Sequence, residues 1–228
     1  MGKEKARHRL RAAAFVLLAA VVSAAVGACV FVLGCYGIHR AAVTELPPME
    51  LYETVSSREE FVGFDELPQF YINAVTAVED REFFTHGGME ISSLGRALLR
   101  NIRTMSFSEG GSTITMQTAK NLYYTQEKSI TRKVTEIFTA FELERTLSKT
   151  QIFELYVNSI YFGCGYDGIG RAALGYYGEQ PARLTDEQCA VLAGVPKSPN
   201  ALSPANHPEA AQARAEVVLE NMRECGYI

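Results

Sequence analysis

The stretch SITRKVTEIFTAFELERTLSKTQIFELYVNSIY, residues 129–161, decides the fold class. Its apolar residues recur every three or four positions, which is the spacing of an amphipathic helix. Ser148 and Gln151 have the spacing of a capping box, so the stretch predicts one helix over residues 129–146 and a second over 149–161. The residues that we expect on the buried face of the first helix are Ile130, Val134, Ile137, Phe138 and Phe141.

Helical signals continue on both sides of this stretch. On the N-terminal side, a helix capped by Asp65 runs into Glu79, and residues 92–104 form a basic amphipathic pattern. On the C-terminal side, a second capping box starts at Thr185, and an Ala- and Glu-rich helix covers 208–225. Because no convincing set of strands is present, the sequence predicts an all-α fold.

An uncharged run over residues 12–37 is long enough to cross a bilayer as a helix. Residues 1–11 are basic, so the positive-inside rule predicts a cytoplasmic tail and a single-pass protein of the cell membrane, with its body extracellular or periplasmic. A cleaved signal peptide is the alternative, but its apolar region is usually shorter. Residues 38–64 lack a clear period and predict a stalk ahead of a globular domain over 65–228.

Charge is unevenly distributed along the chain. After residue 40 there are 16 basic and 25 acidic residues, a net charge of −9, which argues against nucleic-acid binding. Residues 96–149 nevertheless contain nine basic and five acidic residues, so this region suits either an anion such as a phosphate ester or a solvated helix face. The five cysteines are widely spaced and predict neither a disulfide framework nor a metal site.

Three groups of residues are candidates for chemistry, and each also has a purely structural interpretation. Glu79 closes an apolar helix and is either a carboxylate of raised pKa or the polar end of a surface helix. Arg132, Lys133 and Glu136 share one helical face, and they form either part of a functional site or an ordinary surface ion pair. Residues 110–115 combine two glycines with hydroxyl residues. They form either a loop whose backbone can approach a ligand closely or a flexible turn before a helix.

Five motifs in order resemble those of the peptidoglycan glycosyltransferases, which comprise monofunctional transglycosylases and the matching domain of class A penicillin-binding proteins. The matching segments are EDREFFTHGG (79–88), GGSTITMQTAKN (110–121), RKVTE (132–136), KTQIFELYVNSIYFG (149–163) and the closing segment 170–199. Together they place the resemblance over about residues 65–205. The sequence departs from the family at Met116 and Thr118, and Lys128 stands where an Arg is expected, which puts donor affinity in question.

The resemblance implies a lysozyme-like helical fold of two lobes, with an N-terminal transmembrane helix. It implies Glu79 as the catalytic base and Glu136 as a second essential carboxylate. The residues that would bind the donor phosphosugar are Ser112, Gln117, Lys120, Lys128, Arg132 and Lys133. No cofactor is implied as required. Glu136 would hold in place either the cations Lys120, Lys128 and Lys133 or a divalent metal, for which Mg²⁺ or Mn²⁺ is the candidate.

The implied reaction is polymerisation of lipid II into β-1,4-linked glycan, with inversion and release of polyprenyl pyrophosphate. The implied partners are lipid II, lipid-linked glycan, the membrane and other cell-wall synthesis proteins, but no nucleic acid. Two alternatives remain open, a lysozyme-like enzyme that cleaves peptidoglycan and a non-catalytic scaffold for cell-wall assembly. We expect the membrane span to contribute no residue to the site and to act by local concentration alone.

Overall fold

The computed structural model describes residues 2–85, 112–125 and 129–228, and α-helices dominate these residues. The helices in chain order are α1 (Gly2–Glu45), α2 (Pro48–Ser56), α3 (Gln69–Glu79), α4 (Ile114–Tyr123), α5 (Ile130–Thr146), α6 (Lys149–Ser159), α7 (Ile169–Tyr177), α8 (Asp186–Gly194) and α9 (Pro208–Glu224). Short 3₁₀ turns cover Phe64–Glu66, Pro181–Arg183 and Val195–Lys197. The described residues contain no strand, and the predicted all-α fold is confirmed.

The predicted capping boxes fix the starts of two helices. Ser148 accepts a hydrogen bond from the Gln151 amide at the start of α6, while the Gln151 side chain accepts one from the Ser148 amide. Thr185 and Gln188 make the same reciprocal pair at the start of α8. Ser129 caps α5 by accepting from the Arg132 amide at 3.0 Å. Each cap satisfies backbone groups that the first helical turn leaves unpaired.

One hydrophobic core joins the body of the molecule. Helix α3 packs against α8 and α9, which also pack against each other, while α4 packs against α5 and α6. The largest side chains buried in this core include Tyr71, Phe83, Phe153, Tyr156, Phe162 and Leu192. This packing brings the C-terminal end of α3 and the helices α4 and α5 into one region of the molecule, although their sequences are widely separated.

The predicted stalk over 38–64 differs from the structure. Helix α1 continues to Glu45, and α2 follows after only two residues. Leu51 and Val55 of α2 are buried in the core, and α2 packs against α5 and α6. The segment therefore belongs to the folded body. Its short helix is too brief to display a clear period in sequence, and burial against α6 stabilises it instead.

The buried face of α5 also differs from the prediction. Ile130 is 65 % exposed, and Phe138 is only partly buried. The residues that α5 buries are Thr135, Glu136, Thr139, Ala140 and Leu143. The reason is that α5 packs on α1 as well as on α4, so its polar side chains find partners inside the protein.

Helix α1 includes the apolar run predicted to span a membrane. Residues Ala12–Glu45 are long and apolar enough for that purpose, judged by length and composition. At 1.5 Å per residue, these 34 residues exceed the length needed for a hydrocarbon layer of about 30 Å. The last turns of α1 can therefore extend beyond the layer and contact the body.

Candidate active site

Glu79 is the last residue of α3. Tyr71 and Val75 of the same helix are buried, which holds α3 against the core. The chain leaves the helix at Asp80, whose φ of −162° and ψ of 85° are not helical. Gln117 of α4 donates a hydrogen bond from Nε2 to Oε2 of Glu79 at 2.6 Å. The carboxylate of the first motif is thus oriented by the amide of the second.

The surroundings of Glu79 make it a stronger base than an exposed glutamate. Burial raises the pKa of Glu79 above its ordinary value. The hydrogen bond from Gln117 and the positive charges of Arg214, Lys197 and Lys120 act in the opposite direction, without cancelling the effect of burial. A carboxylate in such an environment can accept a proton from a weakly acidic hydroxyl more readily than one in water.

The contributions of Arg214 and Lys197 to this environment were absent from the sequence prediction. Arg214 lies on α9, and its Nε is buried without a hydrogen-bond partner among the described residues. A Cβ atom on Gly194 would lie 2.7 Å from Cγ of Arg214, so a larger residue in α8 would displace this arginine. In sequence, Arg214 is one cation in an Ala- and Glu-rich helix, and no local pattern distinguishes it.

The start of α4 is attached to the end of α3. Asp80 accepts a hydrogen bond from the Ile114 amide through Oδ2 at 3.3 Å. Thr113 caps the same helix by accepting from the Met116 amide at 3.2 Å. These two contacts place α4 beside Glu79, and they explain why Gln117, one turn further along, reaches the Glu79 carboxylate.

A buried ion pair between Glu144 and Lys149 stabilises the position of the first turn of α4. Glu144 Oε1 accepts from Lys149 Nζ at 2.8 Å and from the Thr115 hydroxyl, and Lys149 also lies 4.5 Å above the Phe83 ring. The Thr115 and Phe83 side chains are fully buried. The pair therefore connects α5, α6, the first turn of α4 and the segment after α3.

Lys120 lies one turn after Gln117 on α4, and the charges of Glu79 and Glu136 both act on its ammonium group. Burial lowers the pKa of the Lys120 ammonium. The charge of Glu136 raises this pKa, Arg132 and Lys133 lower it, and Glu79 raises it. Lys120 thus interacts with both acids and with both cations of α5, and the lowered pKa reflects partial removal from water.

Glu136 is buried with two cations of its own helix. Its side chain is 2 % exposed, and it lies 2.8 Å from Nε of Arg132 and 3.2 Å from Nζ of Lys133. The N–H of Arg132 Nε does not point at the Glu136 oxygen, so this contact is an ion pair and not a hydrogen bond. Lys133 also donates to Ser112 Oγ at 2.6 Å. Lys133 therefore links Ser112 to Glu136, and three residues that were predicted for the site lie together.

The environment of Glu136 does not fit a divalent metal. One carboxylate oxygen faces Arg132 and the other faces Lys133, so cations of the protein already neutralise this acid. Among the residues that the structure describes, no group of three His, Cys, Asp or Glu side chains is placed to bind an ion. A metal held by Glu136 would have to displace both ion pairs.

Several predicted elements lie outside the described residues. They are Lys128, His86, the glycines Gly110 and Gly111, and the basic amphipathic stretch 92–104. The seven other predicted site residues converge on one region around α4 and α5. These are Glu79, Ser112, Gln117, Lys120, Arg132, Lys133 and Glu136.

Comparison with known proteins agrees with this arrangement. The profile of the transglycosylase family matches residues 48–223. The chain belongs to this family. The matched region begins with α2 and extends into α9, so it includes the helices that position Glu79 and Glu136 in this transglycosylase. The resemblance to peptidoglycan glycosyltransferases that the five motifs indicated is confirmed.

Named relatives of this transglycosylase fall into two length classes. Penicillin-binding protein 1A of Aquifex aeolicus is 42% identical over 179 residues, which cover 78% of this chain and 25% of the relative. Penicillin-binding protein 1F of Bacillus subtilis is 40% identical over 179 residues, with the same two shares of 78% and 25%. A protein of Cupriavidus necator described as a transglycosylase is 36% identical over 212 residues, covering 93% of this chain and 88% of that protein. The chain thus spans a quarter of the length of the two penicillin-binding proteins.

Proposed function

We propose that this chain polymerises lipid II into β-1,4-linked glycan strands. The observation that supports this most directly is the pairing of a base with a cation cluster. Glu79 is partly buried and oriented by Gln117, and Lys120 interacts with it and with the Arg132–Lys133–Glu136 group. A base beside fixed positive charge suits the attack of a sugar hydroxyl on a carbon that bears a pyrophosphate leaving group.

Glu79 is the general base in this proposal. Its carboxylate removes the proton from the 4-hydroxyl of the acceptor sugar while that oxygen attacks the anomeric carbon of the donor. The new bond forms on the face opposite the leaving group, so the α-linked donor becomes a β-linked product. The bond between the anomeric carbon and the pyrophosphate oxygen breaks, and polyprenyl pyrophosphate departs with the electron pair.

The cations stabilise the departing pyrophosphate, whose negative charge grows in the transition state. Lys120 and Lys133 supply ammonium groups, and Arg132 supplies a guanidinium. Glu136 holds Arg132 and Lys133 in place through its two ion pairs. Because pyrophosphate leaves without prior protonation, the second carboxylate is free for this orienting role, in contrast to the acid of a glycosidase.

The basic charge of residues 1–11 supports one orientation of α1 in the membrane. We propose that α1 crosses the cell membrane with its basic N-terminus in the cytoplasm, so that the body lies on the outer side where lipid-linked precursors are polymerised. Lipid II and lipid-linked glycan are then the substrates, and other cell-wall synthesis proteins are the proposed partners. A divalent cation, where one takes part, would bind to the substrate pyrophosphate rather than to Glu136.

A peptidoglycan-cleaving enzyme is the competing interpretation. Cleavage of a glycosidic bond requires an acid near the leaving sugar oxygen, whereas Glu136 is paired with two cations. The deciding experiment is incubation of the full chain with labelled lipid II and, separately, with purified glycan strands. Polymer from lipid II supports the proposal, and shortened strands without polymer contradict it.

Lys120→Ala is expected to lower kcat/KM for the donor by about 10- to 100-fold, because one stabilising charge on the leaving pyrophosphate is lost. The use of acceptor should change less. Initial rates at varied donor and acceptor concentrations separate the two effects. Arg183→Ala removes an exposed surface charge and serves as the control. Unaltered donor kinetics in Lys120→Ala would exclude this residue from the site.

Gln117→Ala is expected to shift the acid limb of the pH–rate profile to higher pH. The Gln117 hydrogen bond lowers the pKa of Glu79, so its removal raises that pKa. A base works only in its ionised form, and activity would then begin to fall at a higher pH as the solution is acidified. The pH dependence of kcat/KM for both proteins provides the test, with Gln212→Ala on the exposed side of α9 as control. A shift in the opposite direction would argue against Glu79 as base.

A further inference from the structure

The last turns of α1 are packed into the body. We call residues 35–46 the exit segment, since they follow most of the apolar run. Cys35, His39 and Val43 recur every four residues and are 1 %, 3 % and 6 % exposed. They form a buried stripe on one side of the helix, and α1 packs against α5. The Tyr36 ring meets Phe138 of α5 edge-on, with centroids 5.4 Å apart.

Two consecutive tyrosines at the end of α4 attach this exit segment. Tyr123 donates from its hydroxyl to the backbone carbonyl of Leu46 at 3.0 Å. The Tyr124 hydroxyl bonds to Oγ1 of Thr139 on α5, and the same Oγ1 bonds to Nδ1 of His39 at 3.0 Å. Thr139 is fully buried, so its hydroxyl joins three helices inside the protein. We call His39, Tyr123, Tyr124 and Thr139 the clamp.

The clamp is directly connected to the cation cluster. Tyr123 ends α4, one turn after Lys120, and Thr139 lies one turn after Glu136 on α5. Next to Tyr124, the carbonyl of Thr125 accepts from Nη1 of Arg132 at 3.3 Å. A movement of the exit segment would therefore be transmitted to both helices that position the cations. None of the clamp residues belongs to the groups that we propose to act on substrate.

We propose that the exit segment of α1 is a positioning element of the active site, and that the clamp sets the geometry of α4 relative to α5. This inference rests on the proposed function of the cation cluster. It also differs from the expectation that the membrane helix acts by local concentration alone. Deletion of residues 1–40 would remove His39 and the buried Cys35, and so would uncover part of α5 as well as release the domain from the membrane.

Point variants of the full-length chain separate positioning from tethering, because every variant keeps α1. Tyr124→Phe removes one hydroxyl, Thr139→Val replaces the shared hydroxyl by a methyl group, and Thr139→Ser restores a hydroxyl. Tyr52→Phe is the matched control, since the Tyr52 hydroxyl is also part-buried and donates to Glu154 at 2.8 Å, away from the clamp. Rates on lipid II in detergent and binding of a polyprenyl pyrophosphate are measured for each, together with the melting temperature.

Tyr124→Phe and Thr139→Val are expected to lower kcat about five- to tenfold, a loss that one hydrogen bond can account for. KM for the acceptor should change less than twofold, and binding of polyprenyl pyrophosphate should weaken in step with kcat. Thr139→Ser should recover most of the loss, and Tyr52→Phe should retain the wild-type kcat. This combination supports positioning, because a general loss of stability would affect the control as well.

Three results would overturn the inference. The first is wild-type kcat and binding in both Tyr124→Phe and Thr139→Val. The second is an equal loss of kcat in Tyr52→Phe, and the third is a Thr139→Ser variant as impaired as Thr139→Val. Failure of the proposed function has a different signature, since the wild-type chain would then form no polymer. In that case, pyrophosphate binding by the same four variants still decides whether the clamp positions the cations.

Discussion

Glu79→Gln is expected to abolish polymerisation of lipid II while leaving the fold intact. The substitution preserves the size of the side chain but removes the proton acceptor, and loss of a general base typically costs about 10²- to 10⁴-fold in rate. Burial of the native carboxylate, which raises its pKa, is unfavourable for an ordinary structural acid. The variant should therefore be at least as stable as the wild type. Turnover of labelled lipid II and thermal unfolding of the same preparation measure the two quantities.

Glu82→Gln provides the matched control for that experiment. Glu82 lies three residues further along the chain, is exposed, and undergoes the same change from carboxylate to amide. It should polymerise lipid II at the wild-type rate. A Glu79→Gln protein that retains near wild-type turnover would show that another group accepts the proton.

Glu136→Gln is the second large expected effect, on stability as well as on rate. The native carboxylate is 2 % exposed and compensates the charges of Arg132 and Lys133. Without it, two cations remain close together and partly buried, and loss of one member of a buried ion pair costs about 3–5 kcal/mol in the free energy of unfolding. Because both cations would lose their fixed positions, we expect kcat/KM to fall by about 10²-fold as well.

Glu142→Gln on the same helix is the control for Glu136→Gln. Glu142 pairs with Arg145 at 2.7 Å, but the Arg145 side chain is 75 % exposed, so water screens the pair. Its removal should cost less than about 1 kcal/mol. Denaturant unfolding of both variants in detergent gives the comparison. Equal losses of stability would indicate that burial does not govern the contribution of Glu136.

The predictions on Glu79 and Glu136 depend on different physical effects and can fail independently. For Glu79, the rate of polymerisation depends on the protonation state of one carboxylate, and the stability of the fold should not fall when it is replaced. For Glu136, the geometry of the cation cluster depends on a buried charge, so rate and stability should fall together. Separate outcomes for the two variants would therefore distinguish a catalytic acid–base role from an orienting role.

The sequence by itself predicted the all-α class, several of the helices and most of the candidate site residues. Capping boxes at Ser148 and Thr185 act between residues three positions apart, so they can be predicted without knowledge of the rest of the fold. The uncharged run in α1 and the ordered motifs are likewise local features. Through the resemblance, Glu79, Gln117 and the charged face of α5 were identified, and the structure brings these residues together.

Only the tertiary structure decided how these elements act on one another. That Gln117 donates to Glu79 depends on the Asp80–Ile114 contact, which attaches α4 to the end of α3. That Arg214 adds positive charge near this carboxylate depends on the packing of α3 against α9. The polar buried face of α5 was mispredicted, because Thr139 finds its partners on α1 and at the end of α4. The physical reason is the same in each case. A side chain's pKa and burial depend on atoms distant in sequence, whereas helix formation and capping depend on near neighbours.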